Sequence, residues 1–276
     1  MKKRFLVPIS LIICTGLCFS SCKQEAQNTD SVAATDTLYE VVPDAPADGF
    51  VICGTLQGGE GKRLWLEEMA PDGTLFIDSI QADRNGNFHY LYRTTYRSLY
   101  NLHTSQDNDI VLLPAFGETV KVSGRYDRLS LSYRVEDSPE SQLLWDFQQF
   151  TNKGSKILIN LVDTLNHYDD LLATRQISKE TYDRRKAQTD AVYHEAVKEQ
   201  RQYVRDFIKA HRGSLATIIA LYKPFNNIPL VDPNTDDGVR YYKMVLEGLE
   251  KELPDNPHTL HFRTSTQRIR EAGSRK

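Results

Sequence analysis

Hydrophobic and polar positions divide this chain into four regimes. From Phe5 to Phe19 nearly every residue is apolar, with Ser10 and Thr15 as exceptions and the basic Lys2, Lys3 and Arg4 ahead of the run. From Lys23 to about Asp48 the large apolar residues thin out into Gln, Asn, Thr, Ser, Asp, Ala and Pro. From Gly49 to Asp137 apolar positions alternate in short runs divided by turn residues, the period of a half-buried strand. From Ser138 onward they recur at three- and four-residue steps, the period of an amphipathic helix.

The alternating regime predicts about eight strands: "FVICGTL", "KRLWLEE", "LFIDSIQA", "NFHYLYR", "SLYNLHT", "DIVLLPA", "ETVKVSG" and "LSLSYRV". That number implies an antiparallel β-sandwich or barrel over residues 49–137. Asp72-Gly73 and Asn85-Gly86 predict tight hairpins, because type I′ turns need positive φ at both central residues, which Asn, Asp and Gly tolerate. Asp83, Asn85 and Asn87 alternate as in a calcium loop. An EF-hand loop, however, has glycine sixth and glutamate twelfth, whereas here Gly86 is fourth and Thr94 twelfth, so the hairpin reading is preferred.

The helical regime, residues 138–276, opens with Ser138 as N-cap and Pro139 as the first helical residue, with Glu140 where the helix dipole favours an acid. Leu144, Phe147, Phe150, Leu158, Leu161, Leu165, Tyr168 and Leu172 trace one face, with Gly154 as a candidate break. A second long helix starts near Ser178, so the two predict a long helical hairpin. Gly213 suits a left-handed C-terminal position, and Ser214 suits a cap for "LATIIALY". "NNIPLVDPNTDD" reads as a long connection, followed by closing helices over 239–253 and 257–271. The fold class predicted is α+β.

The N-terminal apolar run is shorter than the roughly 20 residues that cross a bilayer. It contains Pro8 and ends in small residues, which is the make-up of a signal peptide over residues 1–21. Phe19-Ser20-Ser21-Cys22 resembles the lipobox of bacterial lipoproteins, with Phe where Leu is usual. The resemblance implies that the Cys22 thiol carries diacylglycerol with palmitate-like acyl chains, and that cleavage leaves Cys22 first with its amine acylated as well. Two or more acyl chains anchor stably where one holds marginally. The plainer alternative is a secretory signal with an incidental cysteine. Residues 22–48 then form a lipidated cysteine and flexible tether, too poor in apolar surface to offset its ordering entropy, with a reach of about 25–30 Å.

Composition narrows the function. Removing 21 of 276 residues leaves 255 (276 − 21), enough for one large domain or two small ones. Losing Lys2, Lys3 and Arg4 moves the formal charge from −3 to −6 (−3 − 3), and a mildly acidic chain without a basic stripe argues against nucleic acid as a partner. Of four cysteines, Cys14 and Cys18 lie in the signal and Cys22 carries lipid, which leaves Cys53 alone in a strand-like run. An intrachain disulfide is then impossible, and burial is the expected state of that thiol.

The segments "FVICGTLQGGEGKRLWLEE", "IDSIQADRNGNFHY", "LLPAFGETVKVSG" and "VEDSPESQLL" together resemble the N-terminal domain of unknown function of bacterial lipoproteins. That domain usually precedes an AhpC/TSA thioredoxin-like domain of the peroxiredoxin or cytochrome-maturation type. The resemblance spans roughly residues 50–270 and rests on turns and strand patterns, so it implies fold more than activity. The thioredoxin fold expected next is absent before the chain stops at "EAGSRK", and residues 22–276 hold no Cys-x-x-Cys. Dithiol exchange needs an attacking and a resolving thiol, so the relatives' oxidoreductase activity does not carry over.

Candidate sites are sparse. His258 and His261, at i and i+3, would share a helix face, but a metal site needs three or four ligands, so surface histidines are expected. Phe88, Tyr90 and Tyr92, followed by Tyr96 and Tyr100, form an aromatic row that would stack on a sugar or peptide if exposed, although such residues more often fill a sheet core. Asp232, Asp236 and Asp237 read as loop and cap residues. There is no G-x-S-x-G, P-loop or H-E-x-x-H. No catalytic residue, cofactor or metal is expected. The leading expectation is a lipid-anchored, non-catalytic binding or scaffolding module of a Gram-negative envelope, whose partners are the membrane and another envelope protein. The alternatives are an accessory to a separately encoded thioredoxin-like protein in the periplasm, and a truncated remnant. The lone Glu25 after Cys22 leaves the inner leaflet, outer leaflet and cell surface open.

Overall fold

In the computed structural model, residues 41–273 are described; the signal, Cys22 and most of the tether lie outside them. The chain is α+β. Seven strands form where the alternation places them: β1 Gly49–Gln57, β2 Arg63–Ala70, β3 Gly73–Gln81, β4 Asn87–Arg93, β5 Tyr100–Ser105, β6 Asn108–Leu112 and β7 Thr119–Arg125. The eighth run, "LSLSYRV", is instead mostly a short helix, α1 Leu129–Ser132, and only β8 Arg134–Glu136 is extended. α1 caps the core with Leu129, and Asn108 Oδ1 accepts from the Ser130 amide at 3.0 Å.

The strands make two open sheets, ordered β4-β1-β7-β8 and β3-β2-β5-β6, so no barrel closes. Their inward faces share one core: Phe50, Ile52, Phe88, Val120 and Val122 from the first sheet meet Leu64, Leu66, Tyr100, Leu102 and Leu112 from the second. This is the sandwich alternative, with one departure from an antiparallel layout. β1 and β7 pair in parallel, Val51 beside Thr119, because the chain passes through the other sheet and re-enters running in the same direction.

Neither glycine turn is type I′. The β2–β3 turn is Pro71-Asp72, with Ala70 paired to Gly73, and Asp72 keeps negative φ. At Asp83–Gly86 only Gly86 is left-handed, at φ 79°, and its amide donates to Asp83 O at 3.1 Å. That turn joins strands of different sheets, so it is a crossing and not a hairpin. Asp83 Oδ1 accepts from the amides of Asn85 (2.7 Å) and Asn87 (2.8 Å), and these bonds, the Asn87 amide first, hold its carboxyl below the usual range. The residues that do take φ of 51° and 59° are Asn226 and Asn227, between β9 Pro224–Phe225 and β10 Ile228–Pro229, a small hairpin inside the expected long connection.

α2 Pro139–Ala173 starts on a buried polar knot. Ser138 caps it through geometry without a side-chain cap bond; its Oγ instead donates to Glu118 Oε2 at 2.7 Å and lies 2.9 Å from Ser141 Oγ, which accepts from the Leu113 amide at 3.0 Å. α3 Lys179–His211 returns antiparallel, capped by Ser178, whose Oγ accepts from the Thr181 amide at 3.1 Å. Gly154 does not break α2. It is buried against Gln200 of α3, and a Cβ there would overlap the Gln200 amide, so the glycine sets how closely the helices approach. Gly213 likewise is not left-handed; it makes room for Glu252.

α4 Ala216–Tyr222, α5 Asp236–Glu252 and α6 Pro257–Gly273 complete the fold. Their core is built on Phe147, Val204, Ile208, Ala220, Tyr242, Val245 and Leu249, and it takes in Leu99 and Leu113 from the β unit, so the helices pack onto one end of the sandwich.

Candidate functional site

The aromatic row faces inward. Tyr90 and Tyr92 pair across β1 with Ile52 and Phe50, both core residues, and Tyr92 and Tyr100 rings pack edge to face at 5.9 Å. At the end of the sandwich they surround Glu68, which is only 5% exposed because it follows Leu64 and Leu66 on the inner face of β2. Burial raises the Tyr96 phenol to about 12, aided by a hydrogen bond to the Glu68 carboxylate. Tyr90 is raised to about 12 by burial and by Asp78. Glu68 Oε1 and Tyr100 Oη are buried without a hydrogen-bond partner. Tyr90, Tyr92 and Tyr96 are half-buried and Tyr100 is buried, with Tyr90 and Tyr92 packed against the core, so the row is part of the packing and not an exposed stacking platform.

His258 and His261 part company. His261 is exposed, whereas His258 is buried at 6% exposure, with Nε2 2.8 Å from Ser98 Oγ. Burial pushes the His258 imidazole below its usual value. The expectation of two surface histidines therefore fails for His258, because the first turn of α6 docks on the β4–β5 loop. Asn256 caps that turn, its Oδ1 accepting from the His258 amide at 2.9 Å while its Nδ2 donates to Arg97 O at 2.8 Å. Among the described residues no three His, Cys, Asp or Glu side chains gather as a metal site.

Asp232, Asp236 and Asp237 are loop and cap residues. Asp232 Oδ1 accepts from the Asn234 amide at 2.9 Å, Thr235 caps α5, and Asp237 pairs with Arg205 and Arg240. Cys53 is buried on β1 between His89 of β4 and Lys121 of β7, and burial pushes its thiol up. No described helix is long and apolar enough to cross a membrane.

Two surfaces escaped the sequence reading. The first is the distal half of the α2–α3 hairpin. Residues 155–188 bury none of their side chains fully, and beyond Ile157 and Leu158, which pack against the helical core, about 20 Å of paired helix stands off it. The pair is held to itself: Tyr182 Oη donates to Asp169 Oδ1 at 2.7 Å, and the Arg185 guanidinium lies over Tyr168. Ile159 (59%), Val162 (45%) and Val192 (52%) are exposed along it. At its base Phe150 and Tyr203 stack with ring centroids 3.6 Å apart, flooring a groove of about 410 Å³ walled by Glu195, Lys198, Glu199 and Gln202.

The second is the outer face of the β3-β2-β5-β6 sheet. Trp65 stacks on His103, its partner across β2 and β5, with centroids 5.7 Å apart. His103 Nε2 lies 3.6 Å from Glu67 Oε2. Strand alternation in "RLWLEE" and "YNLHTS" carries this signal, since Trp65, Glu67, Asn101 and His103 all fall opposite the core leucines.

No protein-family model and no curated protein matches this chain.

Proposed function

We propose that this protein is a lipid-anchored, non-catalytic binding or scaffolding module of the bacterial cell envelope, held through Cys22 and presenting the α2–α3 hairpin to a partner protein. The observation that carries the reading is the hairpin itself. Helices in proteins gain most of their stability from tertiary packing, yet residues 159–188 contribute no fully buried side chain, and Ile159, Val162 and, further along α3, Val192 are exposed. Apolar residues grouped on a projecting element are the usual mark of a contact surface. The anchor is supported by the basic start, the short apolar run and the small residues before Cys22. The resemblance to the lipoprotein N-terminal domain points to the same setting.

The test uses the full chain in its native host. A photo-crosslinking residue at Ile159 or Val192 is expected to give one discrete adduct, and one at exposed Thr74 none. The adduct partner should then bind the purified protein and lose binding when residues 159–187 are replaced by a short turn. Absence of a discrete adduct at both arm positions would overturn the reading. Cys22→Ser is expected to move the protein from the membrane to the soluble fraction, and retention on the membrane would remove the anchor.

A further inference from the structure

We propose that the outer face of the β3-β2-β5-β6 sheet binds a neutral saccharide, with one sugar ring stacked on the β3 side of Trp65 above Ser79. The inference is independent of the α2–α3 arm.

Register places the groups. On β2, Arg63, Trp65 and Glu67 share the outer face, opposite Leu64 and Leu66 in the core. Across β3 they pair with Gln81, Ser79 and Phe76 respectively. The β5 side of the indole is taken by the His103 ring, at 5.7 Å and 24°. On the β3 side the paired residue is Ser79, whose side chain ends at one hydroxyl, and the indole is half-buried. A bulge between Leu66 and Glu67 makes Ile77 the extra residue of β3, so Phe76 and Ser79 stand three residues apart instead of two on this face and the strand bends between them. Phe76, 63% exposed, closes one end of the gap above Ser79, and Gln81, which accepts from Arg63 Nε at 3.2 Å, closes the other. β3 is an edge strand, so the gap opens sideways to solvent.

Chemistry selects the occupant. A sugar ring has an apolar C–H face that packs on an indole and a rim of hydroxyls that each donate and accept. The rim here offers a hydroxyl that does both (Ser79), a guanidinium donor (Arg63) and a carboxylate acceptor (Glu67), while the Gln81 amide is held by Arg63 Nε and Gly61 O. Arg63 and Glu67 stand on either side of Trp65 with opposite charge, so the site has no net charge to favour an ionic ligand. A few placed polar groups around an aromatic surface are the composition of a small-molecule site.

The chain has two tryptophans, Trp65 and Trp145, and Trp145 is packed against the sandwich core with its Nε1 donating to Tyr133 O at 2.7 Å. Emission of a Trp145→Phe full chain therefore reports Trp65. Titration with chito-, malto- and manno-oligosaccharides is expected to give a saturable change for at least one series, matched by saturation-transfer NMR on the unsubstituted protein. Ser79→Phe, which fills the gap with a residue favoured in strands, is expected to weaken that binding by about tenfold or more with the urea midpoint unchanged. Trp65→Ala should do the same in the NMR measurement. No response to any series up to about 10 mM, or binding that persists in both Ser79→Phe and Trp65→Ala, overturns the proposal. Neither result bears on the arm, whose crosslinks are read separately.

Discussion

Ser98 Oγ and His258 Nε2 lie 2.8 Å apart although 160 residues separate them. The bond joins the β4–β5 loop to the first turn of α6, and with Asn256 it ties the helical region to the sandwich.

A pH dependence follows from the direction of the His258 shift. Burial holds the imidazole below its unfolded value of about 6.5. The unfolded chain therefore binds the proton first, and the stabilisation is complete above about pH 6.5 and lost as pH falls through the folded value. The groups facing His258 are Glu68, which opposes the shift, and His261, which adds to it. Urea midpoints at pH 7.5 and 5.5 should fall less in His258→Gln than in the parent, and the His261→Gln slope should stay near the parent's. Equal slopes in parent and His258→Gln would refute the assignment.

Asn256→Ala removes a helix cap and the bond to Arg97 O together. A lost cap costs about 1 kcal/mol, and a partly buried carbonyl left unpaired adds about 1–3 kcal/mol. Chemical denaturation should show a loss above that of a cap alone. Asn256→Asp, which keeps the cap but not the donor to Arg97, should fall between.

Gly154 and Gln200 should couple. Gly154→Ala drives a methyl into the Gln200 amide, and overpacking of this kind costs about 1–3 kcal/mol. Gln200→Ala in the same chain should recover much of it, giving a non-zero coupling in a double-mutant cycle. Strict additivity would mean that the helices are not in contact there.

Cys53 should be inert in the folded protein. Its burial and raised thiol predict slow reaction with a thiol reagent at pH 8, becoming fast on unfolding. Cys53→Ser should destabilise by about 1–3 kcal/mol through an unpaired buried hydroxyl, and Cys53→Ala by less.

Legibility followed the range of the interaction. The seven strands and both arm helices were plain in the sequence, because a strand's two faces and a helix's stripe are written into neighbouring residues. "LSLSYRV" alternates as a strand would, yet Leu129 is drawn into the sandwich core as part of a helical turn, so tertiary burial overrode local pattern. Asn226-Asn227 has the composition for a left-handed turn and takes that conformation, whereas Asn85 beside Gly86 does not. Trp65 and His103 lie on strands whose alternation is plain, but nothing local says that β2 and β5 are neighbours.

The sequence by itself determined the α+β class, the boundaries of most elements, the candidate anchor at Cys22 and the single cysteine, Cys53, of the β region, since these depend on periodicity and composition within short windows. Only the tertiary structure decided that two open sheets form, that β1 and β7 run parallel, that the tyrosine row turns inward around Glu68, and that His258 is buried while His261 is not. Those outcomes depend on which distant segments share a core, and a packing competition among all the apolar faces settles them together.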